Sequence, residues 1–473
     1  MVDPDVIQNY LREISYDDHV AGTKGDFFLA EWIEKLFHEA NLDGVFVDNY
    51  EVYLNYPKAD GRRVAIISPE DKKFEATLEE HTDTQEPPRH PTLAFHGHSK
   101  SGNVTGPLVY ANYGAREDFE YLKSQNIDLT GTIALIRYYG SQGDRALKVK
   151  AAELAGCAGA LIYSDPADDG FLKGPSMPEG PWRRADSLQR GAVSLMSWVV
   201  GDVLTPGWSS TADAKRLDVD NNPGLVNIPS LPLAWRDAAP LLAAIKQHGS
   251  QVPEDWRGGI PDVQEWWTGS AESPIVHLMN IQDEIERQPI RNVLGKIEGY
   301  ESPDKVVYVG NHRDAWCFGA VDPGTGTAVM LEVVRVFGTL LARGWRPRRS
   351  IVFASWDAEE YNLIGSTEHV EEGVDVLRQH GVAYLNVDSA VSGTTFEASG
   401  NPLLERPLLD VLGQVLMPDG NDTVLGHWEK SGSKLGGLGA GSDYVAFQGW
   451  SDCRSRFFIF TDHASRHCWS SFN

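Results

Sequence analysis

The run IVFASWDAEEYNLIGSTEH, Ile351 to His369, ends an apolar stretch on three carboxylates, Asp357, Glu359 and Glu360. Two other apolar runs end in polar chemistry: KVVYVGN leads into His312-Arg313-Asp314, and VAYLNV leads into Asp388-Ser389. A glycine-rich loop ahead of a long apolar segment adds Asp322-Pro323-Gly324-Thr325-Gly326. In open α/β sheets ligands gather at the carboxyl ends of the strands, so these residues are expected at one place. Burying a single ionised carboxylate without compensation costs roughly several kcal/mol. Asp322, Glu359, Glu360 and Asp388 can therefore converge only around concentrated positive charge. Arg313 can compensate one of them. Divalent cations can compensate all, and a histidine among oxygen ligands is a common zinc environment. The competing reading leaves the acids separately in water and His312 as a satisfied core imidazole.

Roles follow from the geometry each position allows. Asp322, in a turn before a helix, can present both oxygens to two metal ions about 3.5–4 Å apart. The Asp322-Pro323 bond is a candidate for the cis form, which would fix that bridge. His312 and Asp388 complete the ligands of one zinc, and Glu360 binds the other. Side chains of adjacent residues on an extended backbone diverge, so Glu359 points at the water between the ions and serves as general base. Asp314 stands two positions beyond His312, where it can orient the imidazole; a surface salt bridge is the alternative.

These positions need a scaffold, and composition bounds it. The chain has 473 residues, 41% hydrophobic and 23% charged, enough for two or three globular domains. A net charge of −25 repels phosphate backbones and argues against nucleic acid as a partner. Cys157, Cys317, Cys453 and Cys468 lack the paired spacing of a zinc finger or redox motif, and the compartment is not indicated. No run of 18 or more apolar residues marks a membrane segment, and the charged start does not read as a signal peptide. Asn103-Val104-Thr105 and Asn421-Asp422-Thr423 fit the N-glycosylation pattern, which matters only in a secreted protein.

The first fifty residues read as two amphipathic helices and a strand near Val45–Leu54, with Leu29, Trp32, Ile33, Leu36 and Phe37 on a core face. EPPRHP, from Glu86 to Pro91, is a loop signal. Short β-rich segments such as GTIALIRYYG and GALIYSDPAD then run to about Ile285 and read as an inserted domain. Alternating strands and helices resume with RNVLGKIEG. The expected fold is α/β: a mixed, largely parallel sheet covered by helices on both faces, with a β-rich insertion. Expected bounds are 1–58 and 287–448 for the two parts of the main domain, 59–286 for the insertion and 449–473 for an atypical tail.

At GNHRDAWCFGAVDPGTGTAV, GWRPRRSIVFASWDAEEYNLIGSTEH and GVAYLNVDSA the chain resembles the zinc exopeptidases related to glutamate carboxypeptidase II, which share their fold with transferrin receptor. AAELAGCAGALIYSDPADDG resembles a protease-associated domain. The resemblance runs from about Asn9 to Phe447 and implies two zinc ions, a small peptide substrate and a homodimeric family. It also implies a structural calcium ion held by Thr205, by the Trp208 carbonyl and by Glu368 and Glu371, oxygen donors of the kind calcium requires. Arg145 matches the arginine that grips the substrate's terminal carboxylate, and a planar fork suits that task. An exposed surface charge is the alternative for Arg145, and a solvated helix face for the two glutamates.

The chain also departs from the family pattern. RGAVSLMSWVVGD lacks an expected asparagine, Ala398 stands in place of an arginine, and Ser442 replaces an asparagine beside the substrate, so a preference for C-terminal glutamate is not implied. After GAGSDYVAF the family continues into a second zinc histidine and a helical dimerisation domain. The tail QGWSDCRSRFFIFTDHASRHCWSSFN shows neither; its His463 and His467 are the candidates for a substitute ligand, against the reading that an unrelated tail has no reason to place one. The expectation is a zinc-dependent exopeptidase of the carboxypeptidase type. The alternatives are a C-terminally truncated, inactive receptor-like protein and an aminopeptidase.

Overall fold

The computed structural model describes residues 2–80, 91–393 and 395–449, together with the backbone of strand Phe458–Phe460. Most of the expected loop at Glu86–Pro91 and almost all of the tail, including Cys453, His463, His467 and Cys468, lie outside the described residues.

Local chemistry sets the first elements. Helix α1, Pro4–Ile14, begins where the Asp3 carboxylate accepts the amide of Asp5 and Pro4 occupies the first turn. Helix α2, Lys24–Glu39, buries Leu29, Ile33 and Phe37 at four-residue spacing, with Trp32 and Leu36 partly covered beside them. Strand β1 spans Gly44–Ser68. Next come β2 (Gly102–Tyr110), β3 (Ile133–Arg137), helix α3 (Arg145–Ala155), β4 (Gly159–Tyr163) and β5 (Ser230–Leu233). The chain continues through β6 (Ile275–Ile297), β7 (Ser302–His312), α4 (Gly324–Ala342), β8 (Arg349–Trp356), α5 (Ile364–His380) and β9 (Gly381–Asn386).

The chain divides into two compact units. The first comprises the described residues of Met1–Val52, Val200–Arg216 and Arg287–Asn473; the second comprises Tyr53–Val199 and Leu217–Glu286. The segment Val200–Arg216, placed by the sequence within the insertion, thus packs with the first unit.

In the first unit the strand order is β9-β7-β8-β6, with β9, β7 and β8 parallel and the end of β6 antiparallel to β8. Successive residues of β8 face opposite sides, as a strand requires. Phe353 joins Leu29, Ile33, Phe37, Ala328, Leu331 and Val334 on one side. Val352, Ala354 and Trp356 join Val370, Leu377, Tyr384 and Phe447 on the other. Helix α4 has the length and apolar composition of a membrane span, yet half of it (50%) is buried inside the protein.

In the second unit the start of β6 pairs antiparallel with β2, and β2, β3, β4 and β5 follow in parallel order. Every residue of β3, β4 and β5 is buried, which explains their unbroken apolar runs. Helices Arg116–Ser124, α3 and Trp235–Ala244 accompany these strands.

Candidate metal centre

Parallel register brings the strand ends together: Gly310 of β7 lies opposite Asn386 of β9, and His312 opposite Trp356 of β8. His312 Nε2 then lies 3.2 Å from Asp388 Oδ1, 3.4 Å from Asp322 Oδ1 and 3.7 Å from Glu359 Oε2. Ligand atoms of His312, Glu359 and Asp388 all fall within 4.8 Å of one another, close enough to share one ion. This trio contains Glu359, expected as the base, so distance alone does not separate its role from that of Glu360. Among acidic neighbours, Asp388 and Asp443 act most strongly on Glu359, and Asp322 on Glu360.

The electrostatics describe a site short of positive charge. Burial pushes Glu359, Glu360 and Asp322 above the usual carboxylate range, and neighbouring acids push them further. Burial acts on Asp388 in the same direction, but the His312 charge and hydrogen bonds hold it below that range. Burial alone would lower His312; Glu359 and Asp388 outweigh it and hold the imidazole well above its ordinary value. One buried Asp322 oxygen, Oδ1, has no hydrogen-bond partner. A histidine, several carboxylates and an orphaned buried oxygen fit divalent zinc as a donor set.

The turn after β8 holds non-glycine residues in the left-handed region, with φ of 55° at Ala358, 99° at Asn362 and 60° at Leu363. Such conformations cost about 1–3 kcal/mol each and persist only when the surroundings fix them. Asp314 is one such fixture: its two carboxylate oxygens accept the amides of Glu359 (2.9 Å) and Glu360 (3.2 Å). The sequence assigned that carboxylate to His312. That carboxylate lies 3.6 Å from His312 Nδ1, which also meets the Asp314 main-chain carbonyl at 3.0 Å, so one residue serves both the imidazole and the turn. The Asp322-Pro323 peptide is cis.

Ser442, expected beside the substrate, is buried and spends its hydroxyl on the metal strand. It donates to Asp388 Oδ2 at 2.6 Å and accepts from Asn386 Nδ2 at 2.9 Å. Its hydroxyl braces the Asp388 carboxylate. Arg313 also differs from expectation. Its guanidinium lies 2.9 Å from Asp26 of α2 and 2.9 Å from Asp357, with all three side chains fully buried. Asp357, grouped with the glutamates in the sequence, thus belongs to a separate triad.

Farther along α5, Glu368 is fully buried and accepts the amides of Asp202 and Ser210. Ser210 donates to Asp202 Oδ2 at 2.8 Å, and its oxygen lies 2.6 Å from Thr205 Oγ1. Both Glu371 oxygens are buried without a well-formed hydrogen bond, and burial pushes this group up to about 8. The Trp208 amide donates to the Thr205 carbonyl at 3.2 Å in the same turn. Hard oxygen donors with orphaned acidic atoms fit calcium.

Arg145 opens α3 in the second unit, half-buried, with Nη1 donating to the Ala192 carbonyl at 3.1 Å. Among the described residues it has no acidic partner, unlike the buried Arg137, Arg183 and Arg190. Sequence reasoning missed Asp26, Asp202, Ser210 and Asp443. Asp443, next to Ser442, is fully buried, and burial pushes it up to about 7. Its only sequence signal is that adjacency, and the others have none, because each meets its partner through the fold.

Comparison with known proteins agrees with this geometry. Residues 292–436 match the family model described as Peptidase family M28, and residues 104–194 match the PA domain. A probable glutamate carboxypeptidase of Arthroderma benhamiae is 39% identical over 463 residues, covering 94% of this chain and 62% of its own length. Aminopeptidase NAALADL1 of Mus musculus is 36% identical over 473 residues, with the same 94% and 62% coverage. The chain therefore spans 62% of the length of these curated relatives. Among solved structures, BSAP, a zinc aminopeptidase from Bacillus subtilis, superposes with a TM-score of 0.61 at 18% identity, covering 99% of this chain and 87% of that one. The strand-end cluster lies in the segment that matches Peptidase family M28, and the PA-domain match lies in the second unit.

Proposed function

We propose that the chain carries out zinc-dependent exopeptidase chemistry, removing the C-terminal residue from small peptides. The observation that carries this reading is the convergence of Asp322, Glu359 and Asp388 within 3.7 Å of His312 Nε2. His312, Asp322, Glu360 and Asp388 would hold two zinc ions. Zinc bound there would polarise the scissile carbonyl and lower the pKa of a coordinated water. Glu359 accepts a proton from the attacking water and returns it to the leaving amine. Asp314 keeps Glu359 and Glu360 on the turn that points them inward, and Ser442 braces Asp388. The match of Arg145 to the family arginine that grips a terminal carboxylate is what favours a carboxypeptidase over an aminopeptidase. The pocket of Glu368, Glu371, Asp202 and Thr205, with the Trp208 main chain, supports a structural calcium site in the first unit.

The test is metal analysis of the purified chain alongside hydrolysis of short peptides with free and amidated C-termini. Zinc should be present, and Glu359→Gln should retain it while turnover falls by about 10²–10⁴-fold. A metal-free protein, or undiminished turnover in Glu359→Gln, would refute the reading.

A further inference from the structure

We infer that His19 is a positioning residue for Asp322: its imidazole seats the loop that carries this carboxylate from β7 to α4, and so sets where the carboxylate meets the metal centre. The inference rests on the zinc reading and adds to it a side chain that is neither a metal ligand nor a substrate contact.

The loop runs from the end of β7 at His312 to the first turn of α4 at Gly324. Its far end is fastened by that turn. Thr325 donates its amide to the Val321 carbonyl at 3.2 Å and its hydroxyl to the same oxygen at 2.7 Å, and the Thr327 amide donates to the Pro323 carbonyl at 3.0 Å. The residues on either side of Asp322 are thus tied to the helix. The near half of the loop meets the segment between α1 and α2. There the Ala315 amide donates to the His19 carbonyl at 3.1 Å, and the His19 amide donates to the Cys317 carbonyl at 3.1 Å. The main chain of His19 therefore fixes Ala315 and Cys317, and its side chain is left to meet Gly319.

That side chain is fully buried. Nδ1 lies 3.0 Å from the Asp17 carbonyl, an oxygen that can only accept, so Nδ1 carries a proton and the bond sets the orientation of the ring. Nε2, at the opposite edge, has no hydrogen-bond partner. A Cβ built on Gly319 would fall 2.7 Å from that nitrogen, 2.6 Å from the Ala315 Cβ and 3.1 Å from the Asp322 carbonyl oxygen. The ring edge, the start of the loop and the main chain of the carboxylate residue thus crowd one point, which the loop passes with a glycine at a φ of 54°. The Gly319 carbonyl in turn accepts the Gly324 amide at 2.8 Å, which ties this turn to α4. Leaving a buried nitrogen unpaired costs about 1–3 kcal/mol. An apolar ring would avoid that cost but would lose the Asp17 anchor, and a smaller side chain would leave a void beneath Gly319 into which the loop could sink.

The experiment is a double-mutant cycle on the full chain. Zinc is titrated calorimetrically into the chelator-treated wild type, His19→Ala, Asp322→Asn and the double variant, and each is melted with and without zinc. His19→Ala should weaken zinc binding by about 10–100-fold, the range found for groups that orient a ligand from behind, and should shrink the zinc-induced rise in melting temperature. The double variant should bind no more weakly than Asp322→Asn. His19→Asn, whose amide keeps the donor to Asp17 but lacks the ring edge, should also weaken binding, and it carries the test if His19→Ala does not fold. Wild-type affinity in the folded variant, with only the metal-free melt lowered, marks a merely structural histidine and refutes the positioning role while the zinc reading stands. A further loss of affinity in the double variant also refutes it, because His19 would then act elsewhere than through Asp322. A wild type that binds no zinc, or an Asp322→Asn that binds it as the wild type does, removes the zinc assignment of Asp322 and this inference together.

Discussion

Arg313 anchors a second buried charge cluster beside the strand-end acids. It follows His312 directly, yet its charge is shared by Asp26 and Asp357, both buried and both pushed upward by burial despite the nearby guanidinium. Removing one partner of a buried ion pair leaves an uncompensated charge and costs about 3–5 kcal/mol. Arg313→Met should therefore lower the melting temperature strongly, and Arg313→Lys should recover only part of the loss, since one ammonium cannot present a fork to two carboxylates. A melt unchanged in Arg313→Met would mean that the triad contributes nothing. The sequence exposed Arg313 and Asp357 as chemistry-bearing residues but not their pairing, because Asp26 lies 287 positions before Arg313. The strand-end acids were legible because each closes an apolar run; Asp26 was not, because it lies within a helix with no such signal.

Among the elements, the strands β7, β8 and β9 were readable because each is an apolar run ending in polar chemistry, and parallel order then delivers those ends to one side. What periodicity does not reveal is how tightly α4 must approach them. A Cβ on Gly326, in the first turn of α4, would lie 1.8 Å from the Asp388 carbonyl oxygen and 2.4 Å from that of Val387. Both obstacles are backbone, so neither can swing aside. Gly326→Ala should push the end of β9 away from His312, weaken zinc binding and cost about 1–3 kcal/mol of stability. Zinc titration and a thermal melt read the two effects separately. Full metal content with an unchanged melt would show that the approach is looser than the structure has it. The inserted unit was read as β-rich from its short apolar segments. Its helices were missed because Ala-rich stretches such as AAELAGCAGA blend into the neighbouring strands.

For the molecule as a whole, 67 acidic against 42 basic residues leave an excess of negative charge, part of it buried around Glu368. A cation bound there should stabilise the fold by mass action, by about 2.7 kcal/mol at a hundredfold excess over its dissociation constant. Calcium should raise the melting temperature of the chelator-treated protein, and Glu368→Gln should abolish that response while leaving zinc content unchanged. A calcium response that survives Glu368→Gln would place the ion elsewhere. The expected insertion of 59–286 differs from the observed second unit, which begins at Tyr53 and leaves Val200–Arg216 to the first unit, a segment set apart only by its packing against α5.

Asp314 reaches both sides of the centre at once: its main-chain carbonyl receives the imidazole, and its carboxylate receives the amides of both glutamates. A carboxamide offers a single oxygen, so even Asp314→Asn would turn an NH2 group toward an amide N–H. The gap between imidazole and glutamates is thus gauged by a single residue.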